Sequence, residues 1–278
     1  MAKFFKVLLR MLSLASVCFL ILHLGQQHIE KMQTAPTYAE LSSFKNNSPH
    51  YLLTTQKRTI EKSRSSTVRV LSLAEATGSI ASSSGTYITM FGHYYVITTN
   101  HGILGNCQVT KIIVDSESHD CLRFIEQNEE VDYALIEISK IPRLSPIKIP
   151  RDMITSNREW KSSLSIMAKT FYTGFPNSEG PLTIAGNVAG HSQDGYIYIN
   201  SYAWSGSSGS GVFSQKGKYM GFVLAIDVGS GFDGPTILEN IVLVVPAYRI
   251  NWASAIDFLD IPLQEEDTAN YKDTNSEE

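Results

Sequence analysis

The chain has 278 residues, of which 18% are charged, and a net charge of −4. This length suffices for one large domain or two small ones, and the low charge content argues against long disordered segments away from the ends. Residues 67–261 carry 13 Lys/Arg and 18 Asp/Glu. The central part therefore has no general basic character, and nothing in it indicates nucleic-acid binding.

The first segment of the chain is apolar. Three basic side chains within the first ten residues precede Met11–Leu24, a run of fourteen residues with no charge. A basic region followed by an apolar run is typical of a secretory signal or a signal anchor. No small-x-small cleavage site follows, so we expect residues 1–24 to form an uncleaved transmembrane anchor, with the N-terminus in the cytoplasm and the rest exported. Secretion after signal cleavage and a helix packed on the domain are the alternatives.

The next part is polar and then gives way to strand-like sequence. Residues 25–66 show no sustained periodicity, which predicts a polar, loosely ordered stalk. From Thr67 onward, short β-branched and apolar runs alternate with Gly, Ser, Asn and Pro, which indicates a series of strands. The predicted strands are Val68–Ala74, two strands within Gly78–Ile103 around a turn at Phe91–His93, Lys111–Val114, Cys121–Ile125, Tyr133–Ile138, Ser165–Tyr172, Leu182–Ala189, Tyr196–Asn200, Lys218–Ile226 and Ile241–Pro246.

The end of the chain carries the one predicted helix of the folded part. Apolar side chains recur at helical spacing over Ala247–Leu259. Many short strands followed by one terminal helix predict an all-β barrel or sandwich pair rather than an alternating α/β fold. The folded domain is thus expected to span residues 67–260, and the acidic residues 261–278 are predicted to be a disordered tail.

Three cysteines are present, one of them in the apolar N-terminal segment. Cys107 and Cys121 flank a predicted hairpin, and in an exported domain they could form a disulfide worth ~3 kcal/mol. Two buried thiols are the alternative. A zinc site that includes His119 is a third possibility, but no fourth ligand stands at a recognisable spacing.

Three stretches carry candidate catalytic residues, in the order His, Asp, Ser. His101 stands near the end of the strand-like stretch Tyr95–Leu104. Asp132 stands near the start of the largely apolar run Val131–Ile138. A carboxylate at the mouth of a buried strand is costly unless its charge is needed. The third stretch, Ser201–Phe213, has five serines and three glycines between strand-like segments. A serine at its centre is therefore a candidate nucleophile.

These motifs resemble those of the chymotrypsin-like (trypsin-like) serine peptidases, particularly the bacterial HtrA-type branch. Ile97–His101 (ITTNH) is similar to the family's histidine motif, and Asp132–Leu135 (DYAL) to its D-x-A-L motif. Gly206–Ser210 (GSSGS) is similar to the G-x-S-G-G motif, with serine at 210 where glycine is commoner. Thr173–His191 resembles the family's Gly-Pro hairpin, and Gly217–Ala225 the strand beside its specificity pocket.

The resemblance implies a fold and a chemistry. The fold would be two six-stranded antiparallel β-barrels with a C-terminal helix, and no PDZ domain is expected after residue 260. Ser208 would be the nucleophile, His101 its general base, and Asp132 the carboxylate that orients the imidazole. The backbone N–H groups of Gly206 and Ser208 would form the oxyanion hole. The implied activity is that of a serine endopeptidase that cleaves proteins or peptides through an acyl-enzyme, with no cofactor and no metal.

Other residues of the same types remain alternatives for each role. The glycine two positions before Ser208 and the glycine directly after it single out this serine among its neighbours. The alternatives are His93, His119 and His191 for the base, Asp115 and Asp120 for the carboxylate, and Ser205, Ser207 and Ser210 for the nucleophile.

The substrate preference follows from the resemblance only in outline. Tyr202 would lie at the base of the specificity pocket, with Phe222, Val223 and Leu224 along its wall. None of these residues is acidic, so an apolar residue before the scissile bond is expected rather than Lys or Arg. A catalytically silent binding or structural module at the membrane is the alternative function, and hydrolysis of a small ester is another. The sequence indicates no oligomeric state.

Overall fold

The structure is a computed structural model that describes residues 54–149, 164–231 and 234–257, together with Ser16. All of these residues except Ser16 belong to one compact unit, Ser48–Glu278. The predicted anchor, apart from Ser16, and the predicted acidic tail lie outside the described residues. Within the described part of the chain, no helix is both long and apolar enough to cross a bilayer.

The first half of the domain is a closed antiparallel barrel of six strands. The strands neighbour one another in the order β1-β4-β5-β6-β3-β2, and pairing of β1 with β2 closes the ring, while a two-residue β7 adds to β2 in parallel. The strands are β1 (Thr67–Ala74), β2 (Ser79–Met90), β3 (His93–Thr98), β4 (Thr110–Val114), β5 (Glu117–Asn128), β6 (Tyr133–Ile138) and β7 (Ile147–Lys148).

The second half is another closed barrel of six antiparallel strands, in the order β10-β13-β12-β11-β8-β9. Two six-stranded antiparallel barrels were predicted through the family resemblance, and the structure confirms them. The strands are β8 (Lys169–Gly174), β9 (Leu182–His191), β10 (Ile197–Asn200), β11 (Gly211–Ser214), β12 (Tyr219–Gly231) and β13 (Gly234–Pro246).

Apolar side chains fill each barrel and the junction between them. One buried cluster belongs to the first barrel and includes Val70 and Ile112, and a second fills the other barrel around Val212 and Val244. A third cluster contains residues of both barrels together with Trp252, which follows the last strand and is 2% exposed. The two barrels therefore share part of their core, and we expect them to unfold together.

A helix that the sequence did not predict precedes the first barrel. Helix α1 (Thr54–Ser65) lies within the predicted stalk, so the prediction of a loosely ordered segment is wrong for these twelve residues. Its buried residues are polar, so no apolar stripe marks it in the sequence. Instead Thr59 Oγ1 donates to Gln215 O at 3.1 Å, and Ser63 Oγ donates to Thr173 Oγ1 at 2.8 Å. The helix is thus held on the second barrel by hydrogen bonds.

The predicted helix Ala247–Leu259 is wrong in extent within the described residues. The chain instead forms a 3-10 turn at Ala247–Arg249, returns to extended backbone at Ile250, and then forms helix α2 (Ser254–Asp257). Trp252 explains the interruption, because its indole Nε1–H donates to Ala247 O at 2.7 Å while the ring is buried in the shared core. The apolar spacing that suggested a helix thus comes from side chains that anchor an irregular segment.

Candidate active site

His101 and Asp132 lie side by side at one end of the first barrel. His101 lies in a 3-10 turn, Asn100–Gly102, just after β3, and Asp132 immediately precedes β6. Strands β3 and β6 are antiparallel neighbours, with Thr98 opposite Ala134. The end of one strand and the start of the other therefore lie side by side, although 31 residues separate the two side chains in sequence.

The carboxylate of Asp132 binds His101 with both oxygens. Asp132 Oδ2 lies 2.5 Å from His101 Nδ1, and Oδ1 accepts a hydrogen bond from the backbone N–H of His101 at 2.8 Å. An ionised carboxylate can only accept, so the shared hydrogen belongs to Nδ1 and the neutral imidazole keeps Nε2 as an acceptor. The His101 side chain is 51% exposed, so this nitrogen is accessible from outside.

The backbone of Asp132 is in the left-handed region. Its φ is +61°, a conformation that is uncommon for residues other than glycine but that aspartate tolerates better than most. Its carbonyl oxygen accepts a hydrogen bond from Asn100 N–H at 3.3 Å. Both the main chain and the side chain of Asp132 are therefore tied to the turn that carries His101.

Ser208 lies on the loop between β10 and β11. Hydrogen-bond donors bind the backbone carbonyl groups of this residue and of its neighbours on both sides. Five consecutive carbonyl oxygens, those of residues 205–209, each accept a hydrogen bond. The donors are Asn177 N–H to Ser205 O (2.6 Å), Ser84 Oγ–H to Gly206 O (2.7 Å), Ser210 N–H to Ser207 O (3.1 Å), Ser84 N–H to Ser208 O (2.8 Å) and Thr86 Oγ1–H to Gly209 O (3.3 Å).

Gly206 and Ser208 each have a backbone N–H group that remains available. Among the described residues, the backbone N–H groups of Gly206 and Ser208 have no hydrogen-bond acceptor. The C=O and N–H of a trans peptide point in opposite directions, so the bonds made by Ser205 O and Ser207 O fix where these two N–H groups point. Gly206 has φ +89°, and a Cβ there would lie 2.6 Å from Phe175 O. Only glycine fits this position without displacing its neighbours.

The loop of Ser208 and the end of β3 pack against the same residue of β2. Thr98, three residues before His101, donates from Oγ1 to Ser84 O at 2.7 Å, and Ser84 N–H donates to Ser208 O. Gly209, with φ +88°, makes this approach possible, because a Cβ there would lie 1.9 Å from Ser84 O. The hydroxyl of Ser208 makes no hydrogen bond within the described residues, so it is not committed to another partner.

Ser210 stands where the family motif more commonly has glycine, and the structure shows how its side chain is accommodated. The residue is fully buried, and its Oγ has no hydrogen-bond partner among the described residues. It faces Gly174 at the end of β8, where a Cβ would lie 1.9 Å from Ser210 Oγ. Because Gly174 has no side chain, there is space for the hydroxyl of Ser210.

The residues predicted to line a specificity pocket differ in exposure. The Tyr202 side chain is 54% exposed and stacks on Trp204 with ring centroids 6.2 Å apart. Phe222 and Val223 are fully buried, Phe222 in the shared core and Val223 inside the second barrel, and Leu224 is 9% exposed. Of these four predicted side chains, only that of Tyr202 faces outward to a large extent.

Beneath Tyr202, a buried tyrosine fixes the start of the serine loop. The hydroxyl of Tyr172 donates to the carbonyl oxygen of Tyr202. Burial raises the pKa of Tyr172 well above its ordinary value. The hydroxyl therefore stays protonated and keeps its role as a donor across neutral and mildly alkaline pH.

Three of the alternative bases and carboxylates, His93, His191 and Asp120, have other partners. His93 Nδ1 lies 2.9 Å from Glu137 Oε1, and His191 Nε2 lies 3.0 Å from Leu164 O. Asp120 pairs with Lys111 at 2.6 Å on the exposed hairpin of β4 and β5. None of these contacts involves the serine loop.

Cys107 and Cys121 form a disulfide, with their Cα atoms 5.2 Å apart. Of the alternatives that the sequence leaves open, the two free thiols and the zinc site are therefore wrong. Within the part of the chain that the structure describes, no group of three or more His, Cys, Asp or Glu side chains is placed to hold a metal ion. The disulfide connects the turn Cys107–Val109, shortly after His101, to β5.

Sequence reasoning missed three residues that hold the serine loop: Ser84, Thr86 and Asn177. A run of small polar residues in β2 (Ser82-Ser83-Ser84-Gly85) was a usable signal, because a strand with so little side-chain volume lets another backbone approach closely. Asn177 follows a proline and has φ +50°, a conformation in which asparagine is enriched.

Comparison with known proteins supports the fold. No protein-family model matches the chain, and no curated protein matches it significantly in sequence. Among solved structures, the serine endoprotease from Yersinia pestis matches with a TM-score of 0.53 at 17% identity, over 75% of this chain and 66% of that chain. The active form of the Rv3671c protease from M. tuberculosis matches with a TM-score of 0.53 at 15% identity, over 74% and 85%. The chain has the chymotrypsin-like serine protease fold.

Proposed function

We propose that the protein is a serine endopeptidase with the catalytic triad His101, Asp132 and Ser208. The observation that carries the proposal is the two-oxygen contact of Asp132 with the imidazole and the backbone N–H of His101. This contact fixes the orientation and the tautomer of a histidine whose Nε2 is free. Through Ser84, which binds both Thr98 Oγ1 and Ser208 O, the strand that leads to His101 is linked to the loop with the uncommitted Ser208 hydroxyl and the uncommitted N–H groups of Gly206 and Ser208.

In the first half of the reaction, Ser208 Oγ attacks the carbonyl carbon of the scissile peptide and its proton passes to His101 Nε2. The tetrahedral intermediate then collapses: the C–N bond breaks, and Nε2 gives its proton to the leaving amine. An ester to Ser208 remains. Asp132 stabilises the imidazolium that exists between these two proton transfers.

In the second half, water takes the place of the amine. His101 Nε2 accepts a proton from water as its oxygen attacks the ester carbonyl, and the proton returns to Ser208 Oγ when the C–O bond breaks. In both halves the carbonyl oxygen becomes negatively charged. The N–H groups of Gly206 and Ser208 donate to it, and each such donor is worth ~3 kcal/mol in the transition state.

Labelling with a fluorophosphonate probe tests this proposal. The probe phosphonylates a serine that a histidine activates, so we expect the wild-type protein to label and Ser208→Ala not to label. Ser205→Ala is the matched control, because Ser205 lies in the same loop and contributes only its backbone carbonyl to the contacts described. Labelling of Ser208→Ala at the wild-type rate would assign the nucleophile to another serine.

The alternative is a catalytically silent module that uses the same fold for binding. The same assay separates the two, because a silent module does not label even when native. Peptide hydrolysis measured beside ester hydrolysis then distinguishes an endopeptidase from a hydrolase of small esters. We expect cleavage after an apolar residue, since Tyr202, the exposed residue among the four predicted to line the specificity pocket, is not acidic.

We also propose that the domain is exported and tethered through residues 1–24. The disulfide supports an oxidising compartment, and the basic flank of the apolar run supports a cytoplasmic N-terminus. Protease treatment of right-side-out vesicles tests this arrangement. Digestion of the domain from outside is expected, whereas a protected domain would contradict export.

A further inference from the structure

We infer that Ser84, a buried residue of the first barrel, is the positioning residue that sets the oxyanion hole of the second, together with the turn at Asn177. This inference rests on the proposed function, because it gives the two residues the task of holding the loop that carries the N–H groups of Gly206 and Ser208: Asn177 holds the peptide of the Gly206 N–H directly, and Ser84 holds the next peptide along the chain. Neither residue touches the reacting atoms. Both act through the peptides on either side of Gly206.

The position of Ser84 follows from strand lengths. Strand β2 begins at Ser79, but its pairing with β3 begins only at Thr86, opposite Ile97. On this side of β2, the N–H and C=O of Ser84 therefore have no strand beside them. The loop of Ser208 and the side chain of Thr98, at the end of β3, bind these two groups instead. Ser208 O accepts from Ser84 N–H at 2.8 Å, and Thr98 Oγ1 donates to Ser84 O at 2.7 Å.

The hydroxyl of Ser84 links two loops of the second barrel. Its Oγ donates to Gly206 O at 2.7 Å and accepts from Phe175 N–H at 2.8 Å. Ser84 is fully buried, so water does not replace either bond if the hydroxyl is removed. The side chain thus fixes the peptide that follows Gly206 and, through Phe175, the turn that contains Asn177.

Asn177 fixes the peptide that precedes Gly206. Its backbone N–H donates to Ser205 O at 2.6 Å, which turns the Gly206 N–H of the same peptide to the opposite side. If this peptide rotated by half a turn, a carbonyl oxygen would replace the N–H donor. Asn177 itself has the left-handed conformation, φ +50°, within the turn that presents this N–H group.

The test measures kcat and KM for a peptide substrate with four variants. For Ser84→Ala we expect kcat to fall by about 10- to 100-fold, below the full loss of an oxyanion donor, with KM changed by less than about 3-fold. Ser63→Ala is the matched control: it also removes a buried hydroxyl with a hydrogen bond, at Thr173 Oγ1, and it should leave kcat unchanged.

Two variants of Asn177 keep the inference testable if Ser84→Ala does not fold. The Asn177 side chain is exposed, so both variants should fold. Glycine adopts the left-handed conformation freely, whereas valine resists it. We therefore expect Asn177→Gly to keep the wild-type kcat and Asn177→Val to lose at least about 10-fold in kcat at an unchanged KM.

The outcomes separate this inference from the proposed function. If the wild type neither labels with a fluorophosphonate nor cleaves peptides, the proposed function fails. If the wild type is active, Ser208→Ala is inactive, and both Ser84→Ala and Asn177→Val keep the wild-type kcat, the positioning role is overturned while the proposed function stands. A rise in KM at constant kcat would also overturn it, since that would be a substrate contact.

Discussion

The two halves of the candidate site are held in different ways. His101 and Asp132 belong to one barrel, and their side chains bind each other directly. Ser208 belongs to the second barrel in sequence, but two of the donors that shape its loop, Ser84 and Thr86, come from the first. The geometry of the His101–Asp132 pair therefore depends on one barrel alone, whereas the geometry of the serine loop depends on the contact between the two barrels.

Asp132→Asn tests the first half and has the largest expected effect. Asparagine tolerates φ +61° and keeps the shape of the side chain, but its amide favours the wrong histidine tautomer. We expect kcat to fall by on the order of 10⁴ while the fold is retained. Steady-state kinetics and circular dichroism measure the two effects.

The matched control is Asp120→Asn, which removes a carboxylate from the exposed pair with Lys111. Such pairs contribute ~0–1 kcal/mol, so neither stability nor kcat should change much. A fall in kcat of less than about 10-fold for Asp132→Asn would argue against an orienting role for that carboxylate.

Gly209→Ala tests the second half, because it acts where the barrels meet. The added Cβ would lie 1.9 Å from Ser84 O and 2.6 Å from Thr98 Oγ1. Gly92→Ala is the control: its φ is also +88°, but a Cβ there has nothing within 4 Å. We expect Gly209→Ala to lower the free energy of unfolding by about 1–3 kcal/mol more than Gly92→Ala, and to abolish labelling of Ser208. If denaturant titrations gave the same loss in free energy of unfolding for both variants, the residues between the barrels would have to shift at little cost to accommodate the added methyl group.

Removal of the disulfide tests whether the stability of the first barrel and the geometry of its histidine turn depend on the same cross-link. Replacing Cys107 and Cys121 by alanine should lower the free energy of unfolding by ~3 kcal/mol. Because Asp132 holds His101 directly, we expect kcat of the folded variant to stay near the wild-type value. A parallel fall in kcat would mean that the cross-link also shapes the histidine turn.

Tyr172→Phe has the smallest expected effect. It removes the donor to the carbonyl oxygen of Tyr202 and should lower the free energy of unfolding by ~1 kcal/mol. Burial raises the pKa of Tyr172, so the hydroxyl is a donor at every pH in the neutral range and the loss should not vary with pH there. Tyr202→Phe is the control, because Tyr202 takes part in this bond only through its backbone.

The sequence was sufficient for the features that local pattern determines. Short strands separated by turn residues predicted an all-β barrel or sandwich pair, and the resemblance of the short motifs to a known family implied the two barrels and the pairing of His101 with Asp132. It was insufficient where polar groups pack on polar groups. Helix α1 buries Gln56, Thr59 and Ser63, so it carries no apolar period, and the contacts of Ser84 depend on β2 extending beyond β3.

The pairing of Gly174 with Ser210 has a consequence for evolution. A side chain at 174 and a hydroxyl at 210 would compete for the same space, so these two positions cannot vary independently. A Cβ at 174 would also lie 2.7 Å from Ser84 Oγ, so a relative that carries alanine at the position of Gly174 should lack the hydroxyls at the positions of both Ser210 and Ser84. The unusual serine of this chain is therefore one member of a set of three positions that must change together.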